Sequence, residues 1–355
     1  MSGAMYLRIP QAIVIWVWLA QALPVAGAAG TRQKADADSG LFARTNLVAW
    51  CIVPFDAKKR GPEERAAMLE KLGFKLFAYD YRAEHILTFD AEMEALARHQ
   101  VRLFAWWFPG ALNDEAKLIL NVLKRHGLRD VQLWVTGGGE PTRNAAEQKA
   151  RVEAETLRIG PIADAAARIG CRVALYNHGG WFGEPENQLA IIEKLRATGT
   201  TNVGIVYNQH HGHHHLDRFA ELLQKMKPHL LALNLNGMVR DGEKTGKLIL
   251  PLGQGDLDLK LLRMVRDSGW SGPMGILNHT DEDAEARLKE NLRGLERLVA
   301  QLDERRAGVA PASQRAAGIL PAGTLQSSAG ARPRASVSSR QVFTCSSTGT
   351  MCTAL

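Results

Sequence analysis

Eight short apolar runs divide this 355-residue chain, and their spacing suits a single closed sheet. They begin near Leu47, Phe74, Val101, Val131, Cys171, Val203, Leu230 and Pro273, with successive starts 27, 27, 30, 40, 32, 27 and 43 residues apart. A run of that length fits a strand buried on both faces, and two parallel strands need a helix-sized crossover between them. Amphipathic segments fill the gaps. The pattern predicts helices over residues 62–72, 90–99, 113–126, 145–169, 185–198, 216–226, 257–268 and 281–302. Proline and acidic residues open several of them, and glycine follows several ends. Strand and helix alternating eight times predict a single-domain (β/α)₈ TIM barrel over residues 46–303, and its 258 residues are the usual size for that fold.

The flanks read differently. Arg8 precedes the apolar run Ala12–Leu19, and Ala26-Gly27-Ala28 fits a small-residue cleavage site. These features predict an export signal over residues 1–28, a linker over 29–45, and a periplasmic or extracellular barrel. An uncleaved anchor is the alternative reading of the same run. Residues 304–355 are rich in Ala, Ser, Gly and Arg, which predicts a disordered tail. The formal charge of +7 comes largely from six arginines after Glu304, where there is no acid. The rest carries 38 Lys and Arg against 37 Asp and Glu. The barrel therefore lacks the concentrated basic surface of a nucleic-acid binder. Cys51 lies in strand 1 and Cys171 starts strand 5, across the barrel and too far apart for a disulfide, and both read as buried thiols.

In such barrels the site lies at the carboxyl ends of the strands. Strand 2 ends with Asp80, Arg82 and His85, which can bind hydroxyls or a carboxylate and exchange protons. Strand 3 ends with Trp106 and Trp107, and alternation turns only one of them into the mouth. Glu140 follows the Gly137-Gly138-Gly139 turn after strand 4, a run without the lysine of a phosphate loop. Strand 5 ends with Asn177 and His178, strand 6 with Asn208, His210 and His211, strand 7 with Asn234 and Asn236, and strand 8 with Asn278 and His279. Gln254 and Asp256 follow on a glycine-rich segment as further candidate contacts. Glu140, His178 and His211 offer a ligand set for Zn²⁺ or Mn²⁺. The alternative is that these imidazoles hydrogen-bond substrate without an ion. The His213-His214-His215 run reads as a rim feature.

These strand ends resemble those of the xylose isomerase-like TIM barrels, the sugar phosphate isomerase/epimerase group. Members carry Glu-Asn-His after strand 5, Asp with His three residues later after strand 6, His on strand 7 and Glu after strand 8. Asn177, His178 and His211 match. Tyr176, Asn208, Asn234 and Asn278 stand where the resemblance expects metal ligands. The resemblance implies a carbohydrate substrate and proton transfer beside a carbonyl. His178, His211, Glu140 and Asp80 are the candidate acids and bases. Arg82, His85, Trp106, Trp107, Asn177, Asn208, Asn234, Asn236, Gln254, Asn278 and His279 are the candidate substrate contacts. A non-catalytic sugar-binding protein on the same barrel is the second reading. A DNA-repair endonuclease on this fold would need the carboxylates and basic face that the chain lacks.

Overall fold

The computed structural model describes residues 40–306. The expected export signal, linker residues 29–39 and the tail from residue 307 lie outside the described residues. Eight parallel strands close into a barrel in chain order. They are β1 (Leu47–Trp50), β2 (Leu76–Tyr79), β3 (Arg102–Phe108), β4 (Gln132–Val135), β5 (Arg172–Tyr176), β6 (Val203–Asn208), β7 (Leu230–Leu235) and β8 (Met274–Leu277). The seam pairs Leu47 with Met274 and Trp50 with Leu277. The outer ring comprises α1 (Pro62–Lys71), α2 (Phe89–Arg98), α3 (Asp114–Arg125), α4 (Ala145–Arg168), α5 (Pro185–Ala197), α6 (Phe219–Met226), α7 (Asp258–Asp267) and α8 (Ala284–Arg306).

The punctuation read from the sequence sets these elements. Asn113 and Asn144 cap α3 and α4, their side chains accepting from the amides of Ala116 at 2.8 Å and Glu147 at 2.9 Å. Gly127 and Gly170 take φ of +64° and +73° just beyond α3 and α4, a conformation that side chains resist. Several boundaries differ from expectation. Leu41, placed in the linker, is buried in the core, and α8 runs through Arg306 into the expected tail. Residues 213–218, before α6, form 3-10 turns rather than the start of the α-helix.

Strand alternation divides the core into two layers. Outward residues such as Phe77, Trp106, Leu133, Leu175 and Ile205 pack against the apolar faces of the helices. Inward residues, among them Val48, Trp50, Ala78, Phe104, Trp134, Ala174, Tyr176 and Val206, fill the barrel. A buried Arg65–Glu92 pair, with two contacts of 3.0 Å, joins α1 to α2. Among the described residues, no helix is long and apolar enough to cross a membrane.

Candidate functional site

The floor of the barrel mouth is aromatic. Trp50, Trp107, Trp134 and Tyr176 point inward from β1, β3, β4 and β5. Trp50 and Trp134 lie 4.0 Å apart between ring centres, Trp107 and Trp134 4.5 Å, and Trp134 stacks on Tyr176 at 5.8 Å and 14°. Gly275 on β8 makes room for this layer, since a Cβ there would come within 2.3 Å of the Trp50 ring. Trp107 is partly exposed and faces the mouth. Trp106, also expected as a substrate contact, faces the other way. It is fully buried between barrel and helices, 4.8 Å from Phe89 and 5.1 Å from Tyr79.

A chain of neutral groups sits at this level. Asn208 Nδ2 donates to the Tyr176 hydroxyl at 2.7 Å, and Asn208 Oδ1 accepts from Asn234 Nδ2 at 2.7 Å and the His210 amide at 3.1 Å. Asn177 is a clamp between strands: it accepts from the Asn208 amide at 2.7 Å and donates to the Asn208 carbonyl at 3.0 Å. Asn234 Oδ1, Asn236 Oδ1 and both amide atoms of Asn278 are buried without a protein partner. Buried polar atoms of this kind are normally met by a ligand or ordered water.

This arrangement does not fit the divalent ion that the resemblance implies at the strand ends. Tyr176, Asn208, Asn234 and Asn278 carry no charge to hold such an ion. Asn208 Oδ1 already accepts two hydrogen bonds. Burial also holds the Tyr176 phenol well above its ordinary pKa, so it stays protonated.

Four imidazoles line the mouth. His178 and His211 lie 4.5 Å apart between ring centres, His211 and His210 4.4 Å, and His210 and His279 5.5 Å, with Phe55 3.9 Å from His279. Partial burial lowers the pKa of all four, and the neighbouring rings add to it at His210, which falls to about 4. They are therefore neutral at pH 7.

Asp80 follows the last residue of β2, beside Val53 and Cys51. It is 1% exposed, its Oδ1 accepts from the Val53 amide at 3.2 Å, and its Oδ2 has no partner. Burial outweighs the nearby Arg82 charge and lifts its carboxyl to about 7. Arg82 forms no ion pair with Asp80. Its guanidinium donates to the carbonyls of Asp80 and Tyr81 at 3.0 and 2.8 Å and lies over Phe55. His85 is turned to the backbone, where Nδ1 accepts from the Arg82 amide at 2.9 Å.

Cys51 was not among the expected site residues. It follows the last residue of β1, takes φ of +53°, and is buried beside Asp80. Burial, and then the Asp80 carboxylate, hold its thiol well above the ordinary value. A Cys after a short strand carries no signal of a left-handed turn, so the sequence could not place it there. Cys171 is also a buried free thiol.

Three further expected residues, Glu140, Gln254 and Asp256, are exposed. Glu140 is exposed on the outer rim, in a depression that it shares with Arg143 and Glu147 at the start of α4. The glycine turn before it is held down: the Trp181 amide donates to the Gly139 carbonyl at 2.7 Å, and a Cβ on Gly137 would strike Phe182 at 2.5 Å. Gln254 donates outward to Glu290 of α8 at 2.6 Å, and Asp256 is exposed. The expected trio Glu140, His178 and His211 therefore does not form. Among the described residues, the group of three whose ligand atoms lie within 4.8 Å of one another is Glu184, His214 and His215.

Comparison with known proteins agrees with this architecture. No curated protein matches the chain. The barrel resembles 3-keto-D-glucoside 4-epimerase YcjR from E. coli, at 15% identity over 71% of this chain and 99% of that one, with a TM-score of 0.53. It resembles a D-tagatose 3-epimerase-like protein at 14% identity over 72% and 99% of the two chains, with a TM-score of 0.52. It also resembles the IOLI protein, solved with a zinc atom, at 16% identity over 72% and 98%, with a TM-score of 0.54. At these identities the likeness is one of fold. A family model matches residues 53–298, and the chain belongs to the xylose isomerase-like TIM barrel family.

Proposed function

We propose that this protein is a carbohydrate-active isomerase or epimerase that moves a proton beside a sugar carbonyl, with Asp80 as the acid–base group and no metal at the strand ends. The observation that carries the reading is the Asp80 carboxyl: buried, with one oxygen unpartnered and a pKa of about 7, at the carboxyl end of a barrel strand. A carboxylate with that value ionises near neutral pH and is basic enough to take a proton from a carbon next to a carbonyl. The proton passes to Asp80 Oδ2 as the C–H pair forms an enediolate. Arg82 and the neutral imidazoles of His178 and His211 are the donors available to its oxygen. Delivery of a solvent proton to the opposite face of that carbon inverts it, while Asp80 releases its own proton to water, and return of the Asp80 proton to the neighbouring carbon isomerises the sugar. Trp107 offers an aromatic surface for the apolar face of the ring. Asn234, Asn236 and Asn278 have unmet polar atoms suited to hydroxyls. The two epimerase-type neighbours support the substrate class.

The motif around Ala26-Gly27-Ala28 supports export, and free or oxidised glycosides suit that location better than phosphorylated sugars. Sequencing the amino terminus of protein secreted by its native host tests this, with a start near Ala29 expected and an intact Met1 on soluble cytoplasmic protein counting against it.

The catalytic test is solvent exchange. The full chain, treated with EDTA, is incubated in D₂O with free sugars and keto-glycosides and followed by NMR. Deuterium should enter at the carbon beside the carbonyl in the wild type and not in Asp80→Asn. Exchange that EDTA abolishes would defeat the metal-free reading. Sugar binding without exchange would favour a non-catalytic binding protein, the reading that the neutral Tyr176–Asn208–Asn234 chain supports.

A further inference from the structure

A second cluster of chemistry lies beside the mouth, where the loops after β5 and β6 meet. Glu184 sits between the single helical turn Gly180–Gly183 and Pro185, the first residue of α5, so two helix ends hold its backbone. His214 and His215 lie in the 3-10 segment before α6. His214 Nε2 is 2.9 Å from Glu184 Oε1, and His215 Nε2 is 3.1 Å from Glu184 Oε2. His215 is 1% exposed, and its Nδ1 lies 3.0 Å from the Tyr207 hydroxyl. A proton on Nδ1 donated to that hydroxyl leaves the lone pair on Nε2, the tautomer that a metal ligand requires. Gly212 leaves room for the Tyr207 hydroxyl, because a Cβ there would come within 2.1 Å of its oxygen. His214 and Glu184 border a cavity of about 320 Å³ shared with Trp181, Gln148 and Asn187.

We propose that Glu184, His214 and His215 form a divalent-metal site, separate from the strand ends, that takes zinc. Two imidazoles and one carboxylate suit Zn²⁺, whereas Mg²⁺ and Ca²⁺ prefer oxygen ligands throughout. Ligand atoms around a tetrahedral zinc with bonds of ~2.0–2.1 Å stand about 3.3 Å apart. The present contacts of 2.9 and 3.1 Å run to the two oxygens of Glu184, and the ligand atoms of the three residues lie within 4.8 Å of one another, so the set draws together around one ion. Further coordination comes from the cavity side, where water or an oxygen ligand fits. Arg218 competes for Glu184, with Nη2 3.1 Å from Oε2, but its Nη1 is 2.6 Å from Glu186 Oε1, so it keeps a carboxylate partner when the ion binds. The ion ties the two loops that flank the mouth.

The test is zinc titration of the EDTA-treated full chain by calorimetry, with melting temperature as a second readout. The wild type should take up one zinc per chain and melt at a higher temperature with it. His214→Ala, at an exposed residue whose loss spares the fold, should bind zinc at least tenfold more weakly, and Glu184→Gln likewise. His178→Ala/His211→Ala should keep the full stoichiometry. A wild type that takes up no zinc overturns the proposal. So does uptake that survives His214→Ala and Glu184→Gln unchanged, or uptake lost only in the mouth variant.

Discussion

Asp80→Asn should stabilise this protein at and above pH 7 while removing the proposed base. Asparagine keeps a carbonyl oxygen for the Val53 amide, and its NH₂ replaces the carboxylate oxygen that has no partner. The charged form of Asp80 is what costs the fold, because burial moves its carboxyl from 3.8 to about 7. At about 1.4 kcal/mol per pH unit, the ionised side chain destabilises the folded state by up to about 4 kcal/mol. The sign follows from proton counts. Between pH 3.8 and about 7 the folded chain binds more protons here than the unfolded chain, so stability falls as pH rises through that window. Below it the carboxyl is neutral in both states and the cost vanishes. Urea unfolding followed by circular dichroism at several pH values from about 4 to 8 reads the difference. Asp80→Asn should match the wild type at the acid end, gain through the window and level off above about pH 7. A variant less stable than wild type at the alkaline end, or a gain independent of pH, would refute the reasoning.

Other outcomes follow from the same geometry. Gly275→Ala should lose roughly 1–3 kcal/mol of stability by urea unfolding, because the new methyl meets both the Trp50 ring and Asn234 Oδ1. An unchanged midpoint would mean that the aromatic floor yields easily. His210 acts opposite to Asp80: its value falls from 6.5 to about 4 in the fold, so the stability it allows is present at neutral pH and is lost as pH drops through that window. His210→Gln should flatten the fall in melting temperature across that acid range. His178→Ala and His211→Ala should each weaken sugar binding at least tenfold with circular dichroism unchanged, and unfolding of either variant would make that histidine a packing residue. Sugar binding should change tryptophan fluorescence in the wild type much more than in Trp107→Ala, and an equal response would place the ligand elsewhere.

The recurrence of apolar runs and helical segments was enough to specify the barrel. Burial of a strand on both faces, helical period, caps and stop glycines are local properties, and Asn113, Asn144, Gly127 and Gly170 carry them in the chain itself. Which strand ends face the mouth was also legible from order alone, and so were the neutral residues at Asn208, Asn234 and Asn278. What those residues do with one another was not. Nothing local tells Trp106 from Trp107, or says that Asn208 bonds Tyr176 and Asn234 into one chain. Nor does it say that Asp80 loses solvent on one oxygen and keeps no partner for it. Glu140 looked like a site residue because it follows β4, yet the contact of Gly139 with the Trp181 turn carries it to the outer rim. The His213-His214-His215 run was visible, but its pairing with Glu184 was not, as Glu184 stands about 30 residues away on another loop. Periodicity and capping act over a few residues and survive in the order of the chain. Ligand sets, orphaned polar atoms and shifted ionisation depend on groups that only barrel closure brings together.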